Sequence, residues 1–410
     1  MRGQRQTQAV AAVDVGSSKV VAAVAVPEEA GLRVLGVGRA SAVGGVRRGA
    51  VVDIPVVAAA MAAAVARARR VARLQLPPVT LGSAGGELWS SRREAEVHLQ
   101  TPQEITEEHV TRLLREVRAV HLPGSYQVVH TIPLEYRVDG YEGCTQPIGI
   151  TAEHVTVAAH VVACQESVLA NLWKVATGAG VEVREFALSG LAAADAVLSD
   201  AERQLGIVVA DMGAEATQVT AFIAGEPAAT ALIPLGGAHI SRDVAAALGI
   251  GTAVAEMVKI RHGSADEASA ADRPLELPQG VGPRPDAALE PTERGLYPVV
   301  RARAEEILER IGQAVAAAGL RDHVPGGVVF TGGGSRLRGL PPLALHVLGM
   351  RVRCAGAMGA PGDLGAPELA ATVGLLQGAA RRETGEQRLP PLATAGLGAL
   401  VRWRRRAAGG

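Results

Sequence analysis

Two stretches of the chain share a pattern in which an apolar strand ends on an aspartate, a short turn follows, and a second apolar strand comes next. The first stretch covers residues 9–26 and has Asp14 at the end of its first strand. The second starts at Leu205 and has Asp211 in the equivalent place. A repeated unit of this kind indicates an internal duplication, and we expect the two acids to face one cleft.

The rest of the chain alternates between helical and strand patterns, which is typical of an α/β fold. Apolar spacing predicts helices over residues 56–74, 104–120, 171–179 and 299–318. Apolar runs predict strands over residues 128–132 and 155–162, and a strand at 79–83 that begins a new unit. Residues 263–298 are rich in Pro, Ala, Gly and acids and are predicted to form a long surface loop.

Composition narrows the class of protein. The chain has 410 residues with 41 basic and 41 acidic side chains, and its formal net charge is +0. It therefore lacks the excess of positive charge that is typical of nucleic-acid-binding proteins. The three cysteines are far apart in sequence and odd in number, which predicts neither disulfides nor a metal site and fits a reducing cytosol. The apolar stretch from Ala9 is interrupted by Asp14 and Lys19, and the run at 54–66 is short and contains Pro55. We therefore expect neither a signal peptide nor a membrane span.

Three glycine-bearing turns carry the candidate chemistry. Each follows an apolar strand, and they cover residues 14–19, 211–217 and 331–335. Glycines let backbone N–H groups approach a phosphate closely, and an aspartate at a strand end can hold a hydrated Mg²⁺ ion. One such turn alone is more often a plain hairpin, but three in order, two of them with the aspartate, are much more specific. The sequence contains neither a GxxxxGK[ST] motif nor a GxGxxG that opens a helix, which argues against a P-loop and a Rossmann site.

These turns and three further motifs resemble the actin-like ATPase superfamily and, within it, the FtsA family of bacterial cell-division proteins. The further motifs are IPLEYRVDG at 132–140, IPLGGAHISRD at 233–243 and AEMVKIRHG at 255–263. The resemblance covers about residues 9–380. It implies an α/β fold of two actin-like lobes with an inserted α+β subdomain, and a cleft that binds ATP and Mg²⁺.

The resemblance also implies which residues would hold the nucleotide. The two phosphate turns would use Asp14, Gly16, Ser17, Ser18 and Lys19, and Asp211, Gly213 and Thr217. The ribose or adenine would meet Glu256 and Lys259, and the adenosine would be covered by Gly332, Gly333, Gly334 and Ser335. Asp14 and Asp211 would hold Mg²⁺ through water. From the residues alone, Glu256 and Lys259 fit equally well as a surface ion pair on a helix.

The second turn departs from the family pattern Asp-x-Gly-Gly-Gly-Thr-Thr-Asp. Four of its places are occupied by Ala214, Glu215, Ala216 and Gln218. If Glu215 points inward, its repulsion of phosphates costs on the order of 1–4 kcal/mol; otherwise it points to solvent. Residues 188–194, which would line the hydrolysis side, hold only Ser189 as a polar side chain and offer no general base. We therefore predict ATP binding with at most weak hydrolysis and assign no catalytic residue.

The C-terminal residues have the pattern of an amphipathic membrane-binding helix. One helical face would carry Leu397, Leu400 and Val401, bordered by Trp403, among Arg402, Arg404, Arg405 and Arg406. Apolar side chains with clustered arginines suit an anionic membrane surface, to which each basic residue adds about 1 kcal/mol. The alternative from the residues alone is a disordered basic tail. The resemblance implies the helix, and with it a cytoplasmic protein that is peripheral on the inner face of the cytoplasmic membrane at the division site.

The resemblance also predicts the order of the domains. The first lobe covers 1–78, an inserted α+β subdomain 79–164, the rest of the first lobe 165–200, the second lobe 201–340, a return to the first lobe 341–380, a linker 381–394 and the membrane-targeting tail 395–410.

The function implied by the resemblance is structural. The protein would polymerise with itself, attach the ring of tubulin-like FtsZ to the membrane and meet later cell-division proteins, without a role for nucleic acid. The alternatives are a PilM-like pilus-assembly scaffold and an ATPase or sugar kinase of the same fold. A kinase needs a substrate base and a tight second phosphate turn, and the sequence is weak in both.

Overall fold

The structure is a computed structural model that describes residues 8–28, 31–119, 121–122, 124–279, 282, 289–360 and 362–384. Its strands are β1 (Val10–Val15), β2 (Lys19–Glu28), β3 (Gly31–Ser41), β4 (Val46–Arg47), β5 (Ala50–Val51), β6 (Val79–Ser83), β7 (Leu88–Glu104), β8 (Tyr126–Val138), β9 (Tyr141–Cys144), β10 (Thr151–Gln165), β11 (Val183–Leu188), β12 (Ile207–Met212), β13 (Thr217–Ile223), β14 (Glu226–Ile233), β15 (Val328–Thr331) and β16 (Val352–Cys354). Its α-helices are α1 (Ile54–Ala72), α2 (Glu107–Arg118), α3 (Glu166–Gly178), α4 (Ser189–Val197), α5 (Asp200–Leu205), α6 (Gly237–Leu248), α7 (Thr252–His262), α8 (Glu293–Ala317), α9 (Leu340–Leu348) and α10 (Ala370–Thr384).

Two five-stranded sheets repeat one topology, as the duplicated sequence pattern predicts. The first has the order β11-β6-β1-β2-β3 and the second, read in the same sense, β16-β15-β12-β13-β14. In each sheet the strand that ends near the aspartate pairs antiparallel with the strand after the turn and parallel with a later strand. Asp14 and Asp211 therefore occupy equivalent places in two equivalent lobes.

The central strands are nearly continuous in apolar residues because helices cover both faces of each sheet. On one face of the first sheet, Val13 belongs to a cluster with Met61 of α1 and Leu172 of α3. On the other face, Ala12 packs with Leu376 of α10. The second sheet is buried between α8 and α9 on one face and α4 and α10 on the other. Helices α4 and α10 thus lie between the two sheets.

The packing of α4 on α10 is close enough to require glycine at one position. A Cβ atom added to Gly374 would lie 1.7 Å from the carbonyl oxygen of Ala192. Such a separation is far inside van der Waals contact, so the two helices would have to move apart. This layer joins the lobes, and its geometry positions the cleft between them.

Gly374→Ala is therefore expected to destabilise the protein by about 1–3 kcal/mol, as overpacking of a core does. Gly378→Ala on the same helix is the matched control, because its Cβ would lie 3.8 Å from the end of the Arg382 side chain. Alanine there should be neutral or stabilise by up to about 1 kcal/mol. Urea unfolding of both variants and the parent measures the difference. Equal stability of the two variants would contradict the packing described.

The third sheet forms the inserted subdomain and has the order β7-β10-β8-β9. Helix α2 covers one face of it, where Leu113 and Val117 pack with Val155 and Val157 of β10. The other face of β7 is largely exposed. This mixture of one sheet and one helix is the predicted α+β insertion.

The predicted segment boundaries differ from the sheets at three places. Strand β6 pairs with β1 in the first sheet, so residues 79–83 belong to the first lobe and the insertion follows Ser83. Strand β16 pairs with β15, so the second lobe extends to Cys354 and the return to the first lobe comes with α10. Helix α10 runs to Thr384, four residues into the segment predicted as linker. The resemblance placed these boundaries by segment order, and the sheet to which a short strand such as β16 belongs is decided by its pairing partner.

The predicted helices at 56–74, 104–120, 171–179 and 299–318 are confirmed as α1, α2, α3 and α8, with shifted ends. The loop predicted for 263–298 is too long, because α8 begins at Glu293, where the Thr292 hydroxyl accepts a hydrogen bond from Gly295 N–H at 3.0 Å. Pro298 lies inside that helix. The helices of the described residues include none with the length and hydropathy that a bilayer crossing requires.

Candidate functional site

A cavity of about 440 Å³ lies between the two lobes and is lined by all three glycine turns. Of the residues predicted to bind nucleotide, those that line it are Asp14, Gly16, Ser17, Ser18, Lys19, Asp211, Gly213, Glu256, Lys259, Gly332, Gly333 and Gly334. Residues more than three hundred positions apart in sequence therefore meet in one cleft. The duplicated topology brings the first two turns together from opposite sides.

The first two turns have the same backbone construction. In the first, Gly16 N–H donates to the Lys19 carbonyl at 3.1 Å. In the second, Gly213 N–H donates to the Ala216 carbonyl at 2.9 Å. A Cβ at Gly213 would lie 2.9 Å from that carbonyl oxygen, so a side chain would open the turn. The loss of two glycines from the family pattern has therefore left the tight turn itself intact.

The two aspartates at the strand ends both have a raised pKa. Burial raises the pKa of Asp14 above its usual range, although a hydrogen bond from the Ser189 hydroxyl at 2.6 Å and the charge of Lys19 oppose it. Burial and the neighbouring Asp14 raise the pKa of Asp211 to about 7. Two carboxylates that resist ionisation beside each other would be stabilised by a cation. Carboxylates facing a phosphate site are the donor set that hydrated Mg²⁺ uses, so these residues fit that ion.

The third turn closes on the second and leaves one open position. Gly332 has φ +78°, and a Cβ there would lie 2.3 Å from an Asp211 carboxylate oxygen. A Cβ atom added to Gly334 would lie 2.9 Å from the Met212 Cβ. At Gly333 the nearest atom is the Glu368 Cβ at 3.9 Å, and Gly333 itself lines the cavity. The backbone at Gly333 can therefore be approached closely by a ligand.

Lys259 and Glu256 of α7 form the wall of the cleft on the second lobe. The Lys259 ammonium donates to the Gly237 carbonyl at 3.0 Å and to Glu256 at 2.8 Å. Glu256 also accepts a hydrogen bond from the Ser241 hydroxyl. The predicted ion pair and the predicted place in the cleft are thus both present, because the pair lies on the face of α7 that lines the cavity.

Two predicted residues do not line the cavity. Thr217 is fully buried, and its hydroxyl donates to the Leu235 carbonyl at 2.9 Å. Ser335 is 4% exposed, and its hydroxyl donates to the Gly332 carbonyl at 2.8 Å. Both hydroxyls hydrogen-bond to the backbone of their own lobe and do not line the cavity.

Gln218, one of the departures from the family pattern, lines the cavity. Its amide oxygen accepts from Gly190 N–H at 2.5 Å, and its amide nitrogen donates to the Ala84 carbonyl at 3.1 Å. Gly190 lies on α4 and Ala84 directly follows β6, so Gln218 links β13 of the second lobe to two segments next to the first sheet. Successive residues of a strand face opposite sides, so a buried Thr217 implies that the polar Gln218 faces the other way. This alternation is the signal in the sequence that could have identified Gln218.

Glu215 does not point into the cleft. Its carboxylate forms an ion pair with the Arg242 guanidinium at 2.6 Å, and its side chain does not line the cavity. The inward direction of Glu215 that was considered from the sequence is therefore not the one observed. Two further charged residues that the sequence did not single out, Arg336 and Glu368, line the cavity and pair with each other at 2.7 Å. The predicted membrane-binding residues 397–406 lie outside the described residues.

Family models cover two parts of the chain. The model of the cell division protein FtsA matches residues 208–374, and the model of the SHS2 domain inserted in FtsA matches residues 85–163. These ranges hold most of the second lobe and the inserted subdomain.

Curated relatives match over most of their length. The cell division protein FtsA of Pseudomonas aeruginosa is 30% identical over 346 residues, which are 84% of this chain and 82% of that protein. The FtsA of Bacillus subtilis is 30% identical over 374 residues, covering 90% and 83%. The FtsA of Escherichia coli K12 is 28% identical over 410 residues, covering 96% of each chain.

Solved structures confirm the predicted two-lobed actin-like fold. A chain of the PilM–PilN type IV pilus biogenesis complex superposes with a TM-score of 0.64 at 16% identity, covering 91% of this chain and 98% of that one. MreB 5 of Spiroplasma citri bound to AMPPNP gives a TM-score of 0.50 at 12% identity, covering 93% and 98%. Identities this low show the fold alone, whereas the sequence relatives show the family: the chain belongs to the FtsA family of cell division proteins.

Proposed function

We propose that the protein binds ATP with Mg²⁺ in the cleft, polymerises, and attaches FtsZ to the inner face of the cytoplasmic membrane at the division site. The observation that carries the nucleotide part is the meeting of three glycine turns and two aspartates in one cavity between the lobes. Membership of the FtsA family supports the partner and the process. The low identity to PilM gives no support to a pilus scaffold beyond the shared fold.

Different residues of the cleft would contact different parts of the nucleotide. The turns at Gly16 and Gly213 present backbone to the phosphates, with Lys19 as a cation at the first. Asp14 and Asp211 would hold Mg²⁺ through water, and the ion would supply positive charge against the phosphates. Gly333 would lie against the adenosine, opposite Lys259 and Glu256 on α7.

Co-sedimentation with anionic liposomes tests the attachment part. The full chain with ATP should pellet FtsZ with liposomes that contain anionic lipid, and FtsZ alone should stay in the supernatant. Neutral liposomes are the control, because the basic tail should lose most of its attraction to them. The proposal is overturned if FtsZ remains in solution while the protein itself pellets.

ATP turnover is expected to be slow, well below about 10 per second, which is typical of metabolic enzymes. Both ends of the Gln218 amide have hydrogen-bond partners, Gly190 and Ala84, and the Ser189 hydroxyl donates to Asp14. These lining side chains are therefore not free to orient an attacking water. Phosphate release from the full chain, measured with and without liposomes, checks this. A rate near that of a metabolic enzyme under either condition would contradict it.

A further inference from the structure

Three side chains with metal-ligating atoms meet on the exposed face of the inserted subdomain, away from the cleft. They are Glu96 and His98 of β7 and His154 of β10, and their ligand atoms all lie within 4.8 Å of one another. His98 and His154 are direct partners in the antiparallel register, and Glu96 is two residues before His98. All three therefore project from the same face of the sheet.

The distances among the three groups are those of a metal site. One carboxylate oxygen of Glu96 lies 3.2 Å from His154 Nε2 and the other lies 3.7 Å from His98 Nε2. Ligands at 2.0–2.1 Å from a tetrahedral Zn²⁺ are separated by about 3.3 Å. The two imidazole rings are stacked, with centroids 4.3 Å apart and an angle of 12° between their planes. The ligand atoms of all three side chains therefore lie close enough together for side-chain rotation to bring them to one ion.

The charges along β7 favour a cation at this position. Neighbouring residues of the same face form ion pairs across the sheet, Arg92 with Glu135 at 2.8 Å and Arg137 with Glu94 at 2.6 Å. Glu96 instead contacts two imidazoles. Neutral imidazole is the form that binds metal, and in that form the rings leave the carboxylate charge uncompensated. A divalent cation would supply the missing positive charge.

The backbone holds His154 in place. Asp139, which has φ +46°, accepts hydrogen bonds from Glu153 N–H at 3.0 Å and His154 N–H at 2.8 Å, and its own N–H donates to the His154 carbonyl at 2.8 Å. These bonds fix an irregularity in the pairing of β10 with β7 just before His154. A ligand held in this way loses less conformational freedom on binding.

We propose that Glu96, His98 and His154 form a Zn²⁺ site on the inserted subdomain. Two imidazoles and one carboxylate suit a borderline-soft ion, whereas Mg²⁺ and Ca²⁺ prefer all-oxygen sites. Three protein ligands leave a fourth position open to water or to a group of another molecule. The site is independent of the nucleotide cleft, so it goes beyond the proposed function.

Zn²⁺ titration calorimetry on the full chain without a histidine tag tests the site. The background variant Cys354→Ser removes an exposed thiol that could bind the metal elsewhere. In that background we expect one saturable site that a large excess of Mg²⁺ does not compete for. His98→Ala and Glu96→Gln should each weaken it at least about tenfold, since even partners beyond the ligands change metal affinity about 10–100-fold.

His346→Ala is the matched control, because His346 is an exposed histidine on α9 of the second lobe. It should bind Zn²⁺ as the background does. Thermal unfolding without metal should be equal in all variants, since His98 and Glu96 are 71% and 61% exposed, and Zn²⁺ should raise the melting temperature only where the site is intact. The proposal is overturned if the background shows no saturable Zn²⁺ binding, or if His98→Ala binds as tightly as His346→Ala.

Discussion

Gly333→Asp is expected to remove most of the affinity for ATP. The new carboxylate would enter the cavity at the one position of the third turn where a Cβ meets no atom closer than 3.9 Å. It would occupy the space proposed for the adenosine and add a negative charge to the cleft. The electrostatic cost alone is on the order of 1–4 kcal/mol at a few ångströms, and loss of contact with the ligand adds to it. Titration calorimetry with Mg²⁺–ATP measures the change.

Gly333→Ala separates the chemical effect from an effect on folding. Its methyl group fits the same open space without a charge, so both variants should unfold at the same urea concentration as the parent. The Gly333→Ala variant should keep most of the ATP affinity, whereas the Gly333→Asp variant should lose it. If the Gly333→Asp variant binds ATP as tightly as the parent protein does, the nucleotide does not lie against this turn.

The two aspartates of the cleft and the turns that follow them could be predicted from the sequence, because their positions depend on local backbone geometry. A strand that ends on aspartate, followed by a glycine turn, places the acid and the turn by local geometry alone, and this holds for Asp14 and Asp211 alike. The repeat then requires only that equivalent units face each other. The roles of the third turn and of Glu256 and Lys259 came from the resemblance to actin-like proteins, since neither belongs to the repeat.

Side-chain direction could not be predicted in the same way. Thr217 and Gln218 are neighbours on β13, so only one of them can face the cleft, and the choice depends on the register of β13 against β12. The family pattern favoured Thr217, whereas the structure places Gln218 in the cavity and buries Thr217. Glu215 is similar, because its direction is decided by Arg242, which lies 27 residues later in the chain.

The inserted subdomain shows a second limit on what the sequence pattern can predict. Strand β7 has 17 residues, yet its exposed face carries charged and polar side chains and its apolar content is low, so periodicity gave no strand there. The pairing of His98 with His154 follows from an irregular register between β7 and β10. Such a register is a property of the folded sheet, so the grouping of Glu96, His98 and His154 that underlies the proposed Zn²⁺ site could not be predicted from the sequence.

Trp403→Glu is expected to release the protein from the membrane into the cytosol. Trp403 borders the predicted apolar face of the tail formed by Leu397, Leu400 and Val401. One short helix buries little apolar area, so a monomer should bind weakly and depend on each of these side chains together with the arginines, at about 1 kcal/mol per basic residue. A negative charge at that border both removes the ring and opposes the anionic surface. Liposome pelleting and the location of a fluorescent fusion in cells measure the release.

Two control variants make the tail prediction specific. Ala408→Glu introduces the same charge near the end of the chain without removing an apolar side chain, and Trp403→Phe keeps an aromatic ring. Both should retain more binding than Trp403→Glu. ATP affinity should be unchanged in all of them, because the tail follows the cleft residues and a predicted linker.

Polymerisation should partly rescue the weakened variants, because linked tails raise the effective concentration of each neighbour at the surface. The rescue should grow with protein concentration and fall with added salt, since the arginine contribution is screened. Trp403→Phe should therefore approach parent binding at high concentration, whereas Trp403→Glu should remain below it. If Trp403→Glu and deletion of residues 395–410 both leave membrane binding unchanged, the tail is a solvated basic end and attachment must come from elsewhere in the chain.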